Sequence, residues 1–182
     1  MRGSAFFFLI ASLMLSSACS KINDTTVMNI TVNQGPAAYN IPIISSLDTG
    51  TTIATIPVPF DLDALIKLQN TRLSSKNVKK LRINSINLTI TDTVKDVTFA
   101  NFETLSIRLQ GGSLSSNVLA TLNVSDSQVK TLNIPVNATA EDLKDIIATG
   151  DLKYVIRGTL RKATTKVYAT TTSSTFRVEL EL

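Results

Sequence analysis

Histidine and tryptophan are both missing from the 182 residues, and aromatic residues amount to only 5%. Without histidine there is no Ser-His-Asp or Cys-His catalysis, no H-E-x-x-H zinc site and no imidazole proton relay. With no indole and few other rings, the stacking platforms of sugar-binding surfaces are hard to assemble. Charge is also sparse, at 18% of residues with a net +4. No basic stretch interleaves with aromatics as a nucleic-acid surface would, so nucleic acid is not an expected partner. The composition offers no cofactor or metal ligand set, and the expectation is a protein that is not an enzyme.

Cysteine is nearly absent as well: Cys19 is the only one, and its position is informative. Ahead of it stand Met1-Arg2-Gly3 with one positive charge, the apolar "AFFFLIASLML" (Ala5 to Leu15) and the small-residue exit Ser16-Ser17-Ala18. These are the parts of a secretory signal peptide. A spanning helix needs about twenty apolar residues to cross roughly 30 Å of hydrocarbon, and no other run approaches that length. Small residues leading directly into Cys19 resemble a bacterial lipoprotein signal. The resemblance implies that the Cys19 thiol receives a diacylglycerol, that cleavage falls just before it, and that the new amino group is acylated. The family prefers an aliphatic residue three before the cysteine, where this chain has Ser16, with Leu15 one place further off. Ser20, where an Asp would favour inner-membrane retention, is similar to the pattern of outer-membrane passengers. Two or three acyl chains on one residue anchor far more firmly than one, which is worth about 0.8 kcal/mol per buried CH₂. The expected location is therefore the cell envelope, lipid-anchored to the outer membrane on its periplasmic or surface face, with palmitate among the acyl groups.

Residues 1–18 are then the signal, 19–26 the lipidated cysteine and a polar tether, and 27–182 one domain. The segment "SKINDTT" (Ser20 to Thr26) has no hydrophobic period and reaches at most about 25 Å at roughly 3.5 Å per residue. The mature chain of about 164 residues suffices for one substantial core, and with its cysteine lipidated it holds neither a disulfide nor a free thiol.

What is abundant is alternation. Met28, Ile30 and Val32 share one face of an extended segment, as do Ile86, Leu88 and Ile90, and Leu105, Ile107 and Leu109. The same period of two runs through Val118, Ala120, Leu122 and Val124, through Leu132, Ile134 and Val136, through Leu152, Tyr154, Ile156 and Leu160, and through Phe176, Val178, Leu180 and Leu182. One apolar face at period two predicts half-buried antiparallel strands, and the many β-branched threonines suit a pleated surface. Seven or more such strands predict a mainly β fold, an antiparallel β-sandwich.

Two segments break the alternation. "TAEDLKDIIATG" opens on Thr139 with Asp142 three residues later, places Glu141 and Asp142 in a first turn and stops at Gly150; Leu143, Ile146 and Ile147 share one face, so a short helix is expected. "FDLDALIKLQN" offers Asp61 as an N-cap and Leu62, Leu65 and Ile66 as an apolar face. Both follow the tripeptide Ile-Pro-Val, at Ile56-Pro57-Val58 and Ile134-Pro135-Val136, which hints at a strand-helix-strand unit used twice. The second copy, "LNIPVNATAEDLKDIIATGDLKYVIRGTL" (Leu132 to Leu160), resembles the later half of the late-embryogenesis-abundant type-2 domain. There a strand, a short helix and a strand ending near Y-x-I-x-G complete a small sandwich. The resemblance covers about a sixth of the chain and implies the fold only.

Other chemical signals are weaker. Ser127-Gln128-Val129-Lys130 matches S-x-x-K and Ser115-Ser116-Asn117 resembles S-x-N, but their order is the reverse of that in penicillin-binding enzymes and no K-T-G follows. Asp61-Leu62-Asp63 could present two carboxylates to Ca²⁺, although such an ion takes six or more oxygens; capping by Asp61 is the simpler role. The main electrostatic feature is Lys67, Arg72, Lys76, Lys79, Lys80 and Arg82, with no acid between Asp63 and Asp92. Lys76, Lys79, Lys80 and Arg82 form the candidate contact for an anionic surface, either lipid phosphates or anionic glycolipid and polysaccharide. Against that stands a plain role as lysines guarding a strand edge. Lys153, Arg157 and Arg161 are expected on the solvent face of their strand. Two functions from different classes follow: a binding or assembly module of the envelope, meeting a protein or glycolipid, and a small lipid or hydrophobic-ligand carrier whose sheets part around an apolar cleft.

Overall fold

The computed structural model describes residues 26–48, 50–136 and 141–182. Cys19, the expected signal and most of the expected tether lie outside the described residues, as does Thr139.

Among the described residues nine strands, each antiparallel to its neighbours, form two packed sheets. In the first, β1 (Val27–Ile41), β9 (Tyr168–Glu181), β3 (Val78–Ile90) and β7 (Thr131–Pro135) lie in that order. In the second, β2 (Thr51–Val58), β8 (Leu152–Leu160) and β4 (Phe102–Gly111) lie side by side, and the far edge of β4 is shared by β5 (Leu114–Ser115) and β6 (Ala120–Asn123). The fold is the expected mainly β sandwich with two short helices, α1 (Leu62–Gln69) and α2 (Lys144–Ala148). No helix among the described residues is long and apolar enough to cross a membrane.

The alternating positions face inward. Ile86, Leu88 and Ile90 of β3, Leu105, Ile107 and Leu109 of β4, and Phe176, Val178 and Leu180 of β9 are all buried. Phe102 packs on Phe99 at 6.0 Å and edge-on against Tyr168 at 6.4 Å, so aromatic rings fill one end of the space between the sheets. Two expected inward positions shift. Val118 is exposed because its strand begins only at Ala120, and Leu182 is exposed beyond the end of β9. The first half of β9 turns Thr170, Thr172 and Ser174 inward, where an apolar period is invisible. Tyr154 compensates by donating its hydroxyl to Ser174 Oγ at 2.7 Å, and Ser174 donates on to Gln34 Oε1 at 3.1 Å.

The Ile-Pro-Val segments mark two mirrored crossings. The path β2–α1–β3 leads from the second sheet to the first, and β7–α2–β8 leads back. Since β2 pairs with β8 and β7 with β3, the two units sit in equivalent surroundings. Pro57 and Pro135 both lie on edge strands, where a missing N–H costs no ladder bond. Asp61 caps α1 as expected, accepting the Ala64 amide at 2.9 Å. The second helix starts later than its sequence suggests, at Lys144, with Asp142 ahead of the first turn. The Asp142 carboxylate accepts from Lys144 N at 3.1 Å and from Leu81 N at 3.0 Å, and Leu143 N donates to Leu81 O at 2.8 Å. These bonds to β3 cover the part of its edge that β7 does not reach. Gly150 ends the segment at φ 74°, a left-handed conformation that glycine adopts without strain.

Candidate functional site

Both helices sit at the same end of the sandwich, and so do the chain's first and last described residues. Val27 lies opposite Glu181, and Val78 opposite Leu180, so the start of β1, the end of β9 and the start of β3 are adjacent. Leu182 N donates to Thr26 O at 3.1 Å, and Asn77 Nδ2 to Glu181 O at 3.1 Å. Chain leaving Thr26 toward Cys19 departs from this end.

Two hollows meet there. One, of about 580 Å³, opens between α1 and α2; Phe60, Val78, Ile147 and Ala148 supply apolar lining, and Asp61, Asp63, Ser75, Lys76 and Lys144 supply polar lining. Phe60 packs at a tilt of 51° on Phe176 with ring centroids 4.7 Å apart, which closes the sandwich interior below the hollow. The cleft thus lies outside the core, between the helices, and not between parted sheets. The second hollow, of about 570 Å³, is lined by Lys76, Asn77, Lys79, Lys144, Glu181 and Leu182.

The basic run divides. Lys76 and Lys79 are exposed and share the second hollow. A bulge in β3 sets Lys79 and Lys80 together opposite Glu179. Lys80 is half-buried in that ladder, and Arg82 brings Nη1 within 4.0 Å of Glu179 while its buried Nε finds no partner among the described residues. Lys67 pairs with Asp63 at 2.5 Å. That contact, with the Ser75 amide donating to Asp63 at 2.9 Å, holds the Asp63 carboxyl below its ordinary range and raises Lys67. Both carboxylates of Asp61-Leu62-Asp63 are therefore engaged within the chain. Lys144, 65 residues beyond Lys79, joins the same hollow, and only the docking of α2 on β3 brings it there.

Arg161 departs from the solvent role expected of it. Its guanidinium donates to Ala100 O at 2.8 Å, Phe102 O at 3.1 Å and Val124 O at 2.9 Å, and lies 3.7 Å from Asp126. Arg157 is exposed as expected, and Lys153 is half-buried with its ammonium 2.9 Å from Asp151. Ser127 shares a 2.5 Å bond with Ser125, whereas Lys130 Nζ binds Asp92 O at 2.6 Å and Val94 O at 2.8 Å, so the S-x-x-K pair does not act together. Ser116 is buried, accepting from Leu109 N at 2.9 Å.

No family model matches the chain, and no curated protein does. Among solved structures, that of the infectious bursal disease virus Gt strain aligns over 86% of this chain and 33% of its own at 10% identity, with a TM-score of 0.40. The decameric BFDV capsid protein aligns over 84% of this chain and 98% of its own, at 10% identity and a TM-score of 0.39. The Triatoma virus empty capsid aligns over 82% and 87%, at 11% identity and a TM-score of 0.27. The chain spans about a third of the length of the bursal disease virus chains. None of these similarities is close enough to transfer a function.

Proposed function

We propose that the chain is a bacterial lipoprotein, held to the outer membrane through acylated Cys19, whose sandwich is a non-catalytic binding or assembly module of the cell envelope. The observation that carries this reading is the one cysteine at the boundary between an apolar signal-like stretch and a polar tether. The packed interior supports a module over a carrier with its ligand between the sheets, since Phe102, Tyr154, Phe176 and Leu105 already occupy that space. The carrier reading keeps one specific support, the apolar-lined hollow between α1 and α2, whose size falls in the range of small-molecule sites.

The test of the anchor is Cys19→Ala. With the sole thiol removed, metabolic labelling by a fatty acid should vanish and unprocessed precursor should accumulate. A variant still acylated would refute the lipoprotein reading.

A further inference from the structure

We propose that the end of the sandwich bearing Lys76, Lys79 and Lys144 rests on the anionic phosphate headgroups of the membrane that holds the anchor; this rests on the lipoprotein reading above. Three observations converge. The tether is short, with six residues between Cys19 and Thr26 and a reach of at most about 25 Å. It leaves from beside the hollow, since Thr26 is bonded to Leu182 and Leu182 lines that hollow with the three lysines. Strand β9 has 14 residues, so the opposite end lies on the order of 45 Å further away at about 3.3 Å per residue. The end with the lysines is the one the tether holds nearest the bilayer.

The second observation is charge. Lys76, Lys79 and Lys144 are all exposed, and none is paired with a carboxylate among the described residues, in contrast to Lys67, Arg82, Lys153 and Arg161. Asp61 and Asp63 line the adjoining hollow with Lys76 and Lys144, but Asp61 caps α1 and Asp63 is held by Lys67; in the hollow that all three lysines share the acidic side chain is Glu181, so cations are in excess there. Converging ammonium groups suit phosphate oxygens, which accept from several donors at once. Third, exposed apolar side chains stand at this end, Leu182 at 59% exposure and Leu68 of α1 at 80%. Cations beside exposed leucines are the composition of surfaces that lie at a lipid interface.

Lys80 and Arg82 face Glu179 in the ladder and belong to the sheet, whereas Lys144 replaces them at the surface.

The experiment maps lysine reactivity in the full acylated chain reconstituted in vesicles of phosphatidylcholine, with or without phosphatidylglycerol. A water-soluble amine reagent is applied and each lysine is read by mass spectrometry. On anionic vesicles, labelling of Lys76, Lys79 and Lys144 should fall about tenfold relative to neutral ones, and salt near 1 M should restore it. Lys162 and Lys166, exposed at the opposite end, should be unchanged. Equal reactivity on both vesicle types, or protection of Lys162 and Lys166 instead, would overturn the proposal. Equal protection by a soluble anionic polysaccharide without membrane would overturn the assignment to headgroups.

A second arm separates this surface from the anchor. The mature chain with Cys19→Ser, lacking residues 1–18, carries no lipid, and its binding to anionic vesicles reads the lysines alone. Replacing Lys76, Lys79 and Lys144 by Gln should weaken that binding on the order of 100-fold, about fivefold per lysine, with an unchanged melting temperature. Unchanged binding overturns the headgroup contact and leaves the anchor standing; a chain that proves unacylated in cells overturns the anchor and leaves this arm decisive.

Discussion

Arg161 commits its guanidinium to three backbone carbonyls: Ala100 just before β4, Phe102 at its start, and Val124 just past β6. Charge-assisted bonds to half-buried carbonyls are worth more than a surface ion pair, so Arg161→Ala should cost about 2 kcal/mol in a urea titration. Arg161→Lys should recover less than half of that, because an ammonium cannot span the fork. A cost under about 0.5 kcal/mol would return Arg161 to the solvent face. The tyrosines make a second prediction. Burial raises the phenols of Tyr39, Tyr154 and Tyr168 above their ordinary value of 10.0. Above that pH the unfolded chain releases protons that the folded chain retains. Their contribution is therefore complete below the unfolded pKa and is lost as pH climbs toward the folded one. Tyrosinate absorbance should rise together with the loss of circular dichroism in strong alkali. A tyrosine titrating at its ordinary value in a fully folded chain would contradict this.

The seating of α2 depends on a close backbone contact. At Gly111, where β4 passes under α2, an added Cβ would meet Ile146 O at 2.3 Å and Thr149 Oγ1 at 2.4 Å. Gly111→Ala should therefore destabilise by about 2–3 kcal/mol through the displacement of α2, whereas Gly35→Ala, with open space around it, should stay within about 0.5 kcal/mol. Equal effects at the two sites would mean that α2 is not seated on β4. Much at this scale was legible in sequence, because a strand with one buried face must alternate: the inward sets of β3, β4 and β8 fall where the period put them. What stayed hidden has physical causes. In β9 the inward Thr170, Thr172 and Ser174 look like surface residues, since their burial depends on partners such as Tyr154. The start of α2 moved because Asp142 bonds β3 as well as the helix, a tertiary contact that no capping pattern contains. Of the hollow beside Thr26 and Leu182, Lys76 and Lys79 were visible as part of a charged run, but the run has no way to separate them from Lys80 and Arg82. That separation comes from the bulge and from Glu179 on a strand about a hundred residues later.

At the scale of the whole molecule, β1 and β9 pair along nearly their full lengths, so the two ends of the domain are joined in one sheet. A chain starting at Thr26 already contains every described strand and should fold by itself, with one cooperative transition and a sheet-dominated circular dichroism spectrum. A mainly helical spectrum would contradict the sandwich. The hollow between α1 and α2 gives the carrier reading its own test: a fluorescent fatty acid should bind at micromolar concentration if that reading holds, and Ile147→Glu should abolish it. The module reading expects no saturable binding. The proposed location, orientation and membrane contact all depend on acylation of Cys19. Its most direct test is the mass of the N-terminal peptide of the chain extracted from bacterial membranes. The expected peptide begins at Cys19 and is heavier by a diacylglycerol and an amide-linked acyl group. An unmodified Cys19, whether internal to an uncleaved precursor or in a chain cut elsewhere, would contradict it.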